Sequence, residues 1–187
     1  MNSTGRGLAR RIGAAAAAAC CVLPLAGCGL FGSGMSTAPP VAMTLSSGAF
    51  AQNLLPQRFT CAGGKVLNPP LGWTGAPTDT KSIALVVDDA SAPITPYVYW
   101  VVFDINPATS DILEGQLPPG ARQAQNSSGT AGYDPPCPGP QGHDYRFTVY
   151  ALNKVLNLPN GASLQDAWMA IAAAAIGRGR KTVTATS

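Results

Sequence analysis

The order of apolar and polar positions divides the chain into a leader, a short connector and a domain built mainly of strands. An apolar run fills residues 12–23, directly after the basic side chains Arg6, Arg10 and Arg11. Its length suits the core of an export signal and falls short of the roughly 20 residues needed to span a bilayer. Further on, Ile83-Ala84-Leu85-Val86-Val87 is unbroken, as expected of a central strand covered on both faces. Residues 97–105 and 145–152 are two more strand-like runs, and weaker strand signals begin near Met43-Thr44-Leu45. Residues 182–186 read as a last strand. One segment has helical spacing: Ser163 caps it with Asp166 three residues on, and Leu164, Ala167, Trp168, Ile171 and Ala175 recur along one face. Gly177 is its expected stop, and Trp168 is assigned to the core rather than to a ligand platform. No internal repeat is present.

The end of the leader adds chemistry to this outline. Pro24 breaks the apolar run, and Leu25-Ala26-Gly27-Cys28 resembles the bacterial lipobox, in which the Cys sulfur is acylated before cleavage makes it the new N-terminus. Residues 1–27 are therefore expected to be a lipoprotein signal peptide and Cys28 the lipidation site. Acyl chains contribute about 0.8 kcal/mol per buried methylene, so a diacylglycerol anchors firmly. Residues 28–41 are the acylated Cys and a flexible tether rich in Gly, Ser and Pro. Residues 42–187 form the domain. The expected location is the cell membrane, lipid-anchored on its extracytoplasmic face; Arg10-Arg11 leaves the export route open.

Composition agrees with a turn-rich β protein: charged residues are 11% of the chain, against 21 Gly and 17 Pro. The formal charge of +3 belongs to the leader, because the nine basic residues beyond it are balanced by nine acidic ones. A neutral domain without a Lys/Arg cluster offers no electrostatic footprint for nucleic acid. Of the five Cys, Cys20 and Cys21 leave with the signal and Cys28 carries lipid. Cys61 and Cys137 remain, as a disulfide in an oxidising compartment or as two separate buried thiols. A single His and no close Cys pair argue against a metal site. No cofactor is expected.

Six segments in register are similar to the phosphatidylethanolamine-binding protein family, in its bacterial Raf-kinase-inhibitor-like branch. They are Phe59-Thr60-Cys61, Asn68-Pro69-Pro70-Leu71-Gly72-Trp73, the run from Lys81 to Asp89, Ala92-Pro93 with Tyr99-Trp100-Val101-Val102, Gly132-Tyr133 with Pro136-Cys137-Pro138, and Gly142-His143-Asp144-Tyr145. The resemblance implies a mostly β sandwich of two antiparallel sheets with a helix near the C-terminus. It also implies a small anion-binding pocket at one end, built from a D-P-D-A-P segment, a strand His, a Gly-Pro-rich loop and a G-x-H-R-Y segment. By position Asp89 matches the first Asp of that pattern, Ala90 replaces its Pro and Ser91 its second Asp. Tyr99 stands where the strand His is expected. His143 and Tyr145 match the last segment, with Asp144 in place of its Arg. The implied ligand-binding residues are Asp89, Ser91, Tyr99, Tyr133, His143 and Tyr145.

Residues two apart on a strand share a face, so His143, Tyr145 and Phe147 are expected to point together, as are Tyr97, Tyr99 and Val101. His143 can donate to an anionic oxygen while Asp89 orients its other nitrogen. Tyr99 offers a neutral hydroxyl in place of a second imidazole, which predicts weakened phosphate binding or a different small polar ligand. The expected activity is non-enzymatic: binding of a small anionic or phosphate-like ligand, or inhibition of an envelope protein such as a protease. Two other classes compete. One is a hydrolase with His143 as base, Asp89 behind it and Ser91 as nucleophile, although no G-x-S-x-G is present. The other is a structural envelope protein whose pocket has decayed.

Overall fold

The computed structural model describes residues 39–187 apart from position 93. The leader, the lipobox with Cys28, most of the tether and the Pro of the Ala92-Pro93 pair lie outside the described residues. Two sheets carry the fold. The larger has the order β1-β9-β8-β4-β5-β7, from Val41–Ala42 (β1), Ser82–Asp89 (β4), Val98–Ile105 (β5), Arg122–Gln123 (β7), His143–Leu152 (β8) and Ala175–Ala185 (β9). Its pairs are antiparallel except β1 with β9, which is parallel. The smaller, antiparallel sheet has the order β2-β3-β6, from Thr44–Ser46 (β2), Leu71–Thr74 (β3) and Asp111–Ile112 (β6).

All eight residues of β4 are buried, as the unbroken apolar run requires. The strand lies between β8 and β5 and alternates between two cores. Ile83, Leu85 and Val87 join Trp100, Val102, Phe147 and Val149 in the core shared with the small sheet, which Leu45, Leu71, Trp73 and Ile112 close from the other side. Ala84 and Val86 join Val101, Phe103 and Leu152 beneath the helix α1 (Leu164–Ala174), whose Ala167, Ile171 and Ala174 complete the second core. The α1 cap is the expected one: the Ser163 side chain accepts a hydrogen bond from the Asp166 backbone N–H.

Four expectations need correction. The helix does not run to Gly177. It ends at Ala174, and the next residue enters β9, which pairs with β8 from Leu152↔Ala175 to His143↔Ala185. The last strand is thus 11 residues long rather than the five of residues 182–186. Ladder pairing with β8 overrides the helix preference of the Ala-rich segment. Gly177 and Gly179 serve close approach instead: a Cβ on Gly179 would sit 2.7 Å from the Met43 carbonyl oxygen, and one on Gly177 would sit 2.9 Å from Pro77 Cδ. Trp168, expected in the core, is 45% exposed, because the buried stripe of α1 passes through Ala167 and Ile171. Finally, Val101 does not share a face with Tyr97 and Tyr99. Val87 pairs with Trp100 and Asp88 with Val98, so Tyr99 is an extra residue on its strand. This β-bulge breaks the period of two, putting Trp100 in the sandwich core with Tyr99 packed against it and Val101 in the core beneath the helix.

Candidate functional site at one end of the sandwich

The strands β4, β5 and β8 bring the sequence-picked residues to one end of the sandwich. Asp89 is the last residue of β4 and pairs directly with Tyr145 of β8. His143 opens β8 just after Gly142, whose φ of +75° closes a turn in which its N–H bonds the Gly139 carbonyl at 3.0 Å. Two residues apart, His143 and Tyr145 point the same way, with stacked rings 6.3 Å between centroids. His143 Nδ1 lies 3.4 Å from Asp89 Oδ2; the His side chain is 43% exposed and that of Asp89 11%. The loop after Val87 and the segment around Gly142 therefore converge, with the imidazole open to solvent.

Backbone contacts hold this corner. Asp89 Oδ1 accepts from the Ser91 N–H at 2.8 Å, Ser91 Oγ accepts from the Asp144 N–H at 2.9 Å, and the Ala90 N–H bonds the Asp144 carbonyl at 2.7 Å. Ser91 thus ties two segments together, and its hydroxyl oxygen is engaged by Asp144. Asp144, which replaces the Arg of the family pattern, is exposed and accepts from Thr184 Oγ1 at 2.6 Å. As the neighbour of His143 on a strand, it projects to the opposite face.

Aromatic side chains build the wall. The Tyr99 ring meets Tyr145 edge-on at 5.5 Å and Tyr97 at 4.7 Å. The Tyr97 hydroxyl donates to Asp134 Oδ2 at 2.7 Å, and the Asp134 N–H bonds the Tyr99 carbonyl at 2.9 Å. Burial, followed by the nearby Asp89 carboxylate, pushes the Tyr145 hydroxyl up to about 12, while a hydrogen bond with Tyr99 pulls it back. Burial raises Tyr99 in the same direction, helped by Tyr145 and Asp89. Both hydroxyls are neutral at physiological pH, but only Tyr99 is partly exposed; Tyr145, expected to touch a ligand, is 1% exposed and belongs to the sandwich core behind the site.

Tyr133 plays another part. It is 8% exposed, its ring packs edge-on against Trp100 at 5.6 Å, and its hydroxyl donates to the Phe59 carbonyl at 2.8 Å. Its hydroxyl is therefore spent inside the protein. With the Cys61–Cys137 disulfide, whose Cα atoms are 5.2 Å apart, and the Cys61 N–H bond to the Pro136 carbonyl, it clamps the 133–137 loop to the 59–61 turn. That clamp sets the position of Asp134. Tyr97 lies on the side its strand position predicts, whereas the only sequence signal for Asp134 is a charged residue opening a Pro-rich loop. Among the described residues, no group of three or more His, Cys, Asp or Glu side chains is placed to hold a metal.

A family model for the phosphatidylethanolamine-binding protein matches residues 46–186. The chain belongs to that family. Proteins similar to this chain include a UPF0098 protein of Methanothermobacter thermautotrophicus, 43% identical over 130 residues that cover 66% of this chain and 85% of the relative. LppC of Mycobacterium tuberculosis, named as a candidate lipoprotein, is 38% identical over 179 residues, covering 85% of this chain and 88% of LppC. Among solved structures, YbcL of E. coli, described as a member of the mammalian phosphatidylethanolamine-binding protein family, superposes with a TM-score of 0.70 at 26% identity, covering 78% of this chain and 98% of YbcL. The homologue CT736 of Chlamydia trachomatis gives 0.69 at 32% identity, over 76% and 96%. The two-sheet fold with one helix is thus the family fold.

Proposed function

We propose that this phosphatidylethanolamine-binding protein family member is a membrane-anchored, non-enzymatic binding protein whose sandwich-end site takes a small anionic ligand, with phosphate-like groups held weakly. The observation that supports it is the His143–Asp89 contact at 3.4 Å on a half-open imidazole. Asp89 holds one ring nitrogen and leaves Nε2 to a ligand, and the neutral hydroxyl of Tyr99 adds a hydrogen bond beside it, backed from within by Tyr145, which is 1% exposed. A doubly charged phosphate finds one imidazole here and meets the carboxylates of Asp89 and Asp134. A hydrogen bond to a charged partner is worth about 1.5–3 kcal/mol, and a neutral one about 0.5–1.5. A singly charged or carboxylate-like ligand suits this balance better than a phosphate dianion.

Calorimetric titration with acetate and phosphoethanolamine tests this reading. Acetate binds at least as tightly as phosphoethanolamine, and His143→Gln weakens acetate by roughly tenfold or more. Tight phosphoethanolamine binding, or no effect of the substitution, overturns it.

Anchoring rests on Leu25-Ala26-Gly27-Cys28 and on the lipoprotein designation of LppC. Mass spectrometry of the mature N-terminal peptide is expected to find an acylated Cys28, lost in Cys28→Ser; a leader removed elsewhere ends that part of the reading.

A further inference from the structure

Asp88 and Asp89 are consecutive on β4 and so point to opposite faces of the large sheet. Asp89 serves the sandwich end. Asp88 faces the helix side, where its cross-strand partner is Arg146 of β8. Arg146 Nε donates to Asp88 Oδ1 at 2.8 Å and Nη2 donates to Oδ2. This fork-shaped pair is the floor of a cleft of about 470 Å³, walled by Pro96 and Val98 on one side and by Leu164 and Trp168 of α1 on the other. That volume lies within the range of clefts that take small organic ligands, and apolar walls over a few polar groups are the usual lining of such sites.

Three observations define the occupant. A guanidinium carries five N–H donors, and Asp88 uses two; among the described residues the other three have no hydrogen-bond partner. Further cations lie on the same face of the sheet: Arg178 and Arg180 of β9 pair with Tyr150 and Thr148 on the strand that carries Arg146, and both are exposed. The wall also includes a large unburied aromatic surface. Trp168 is 45% exposed with its ring edge-on to Tyr150 at 6.4 Å, whereas Trp73 and Trp100 are 4% and 2% exposed. A body lying against Trp168 gains the burial that α1 packing leaves unrealised.

We propose that this cleft binds a small amphipathic anion, with an aromatic or alkyl body against Trp168, Leu164 and Val98 and a carboxylate- or sulfonate-like head on Arg146. The cleft shares no residue with the sandwich end, so it is a second site that stands or falls independently of the first.

The test uses two dyes of similar body, the anionic 8-anilinonaphthalene-1-sulfonate and the neutral N-phenyl-1-naphthylamine, titrated into the folded full chain while near-UV circular dichroism is followed. The anionic dye gives saturable one-to-one binding with Kd below about 100 µM and an unchanged dichroism spectrum. At saturation it shields Trp168, so acrylamide quenching falls to the level of Trp168→Phe. Replacing both members of the pair, Asp88→Asn with Arg146→Gln, leaves no orphan charge and weakens the anionic dye by about tenfold while changing the neutral dye less than about twofold. Gln165→Trp, at an exposed cleft position, fills the space and weakens both dyes. The proposal is overturned by non-saturable binding, by binding that requires loss of the native dichroism, or by binding that neither the double variant nor Gln165→Trp affects.

Discussion

At the residue scale, the sandwich end depends on a few side chains whose protonation is set by their surroundings. Tyr145 shows the sign most clearly. Its folded-state pKa is raised to about 12 from an ordinary value of 10. Below pH 10 the hydroxyl is protonated in both folded and unfolded chains, and its contribution to stability is fully present. Above pH 10 the unfolded chain releases its proton first, so the contribution drains away as pH rises through about 12. Denaturant midpoints measured from pH 8 to 12 are expected to fall more steeply for the native protein than for Tyr145→Phe; identical slopes refute the assignment. Tyr99 sets ligand choice at the same site. Tyr99→His gives the site a second imidazole, and phosphoethanolamine affinity is expected to rise roughly tenfold by calorimetry. A fall in affinity shows that the Tyr99 wall, rather than charge, controls the site.

At the element scale, β9 shows how packing decides local structure. Its sequence opens on Ala residues that favour helix, yet ten backbone pairings with β8 hold it as a strand. The strand passes so close to Met43 that Gly179 has no room for a side chain. Gly179→Ala is expected to destabilise the domain by roughly 1–3 kcal/mol in urea unfolding, since the obstacle is backbone that cannot step aside. Gly48→Ala, where a Cβ meets nothing within 4 Å, serves as the control and changes stability little. The bulge at Tyr99 is the other device of this scale. It turns an adjacent pair, Tyr99 and Trp100, so that one lines the site while the other fills the core beneath it.

At the scale of the whole molecule, the clamp between the 59–61 turn and the 133–137 loop joins parts of the chain 76 residues apart. Closing a loop of that length in the unfolded chain is worth on the order of 4 kcal/mol by chain entropy. Reduction with dithiothreitol, or the paired change of Cys61 and Cys137 to Ser, is expected to lower unfolding free energy by up to about that amount. Because Asp134 rides on the clamped loop, the same change is expected to weaken acetate binding at the sandwich end. Unaltered stability after complete reduction rules the bridge out as a fastening of the fold.

Much was legible along the chain because it is encoded locally. The unbroken run of residues 83–87 reported a doubly covered strand, Ser163 with Asp166 reported a helix start, and six short segments in register reported the family. Those segments contain Asp89, His143, Tyr145 and Tyr99, and alternation along β8 is enough to group His143 with Tyr145. What the tertiary structure alone decided depends on partners distant in sequence. The bulge opposite Val87 and Asp88 exists only in the pairing with β4, so no period along residues 97–105 could show that Val101 leaves the face of Tyr99. Gly177 looked like a helix stop because its use, making room for Met43 and Pro77, lies across the fold. Trp168 looked like core because helical spacing marks a stripe without saying which edge of it the sheet covers. The pairing of Asp88 with Arg146, 58 residues apart, is likewise invisible until two strands lie side by side. Local periodicity announces most of the elements; contacts between elements decide where they end, as at the start of β9, and which faces they hide.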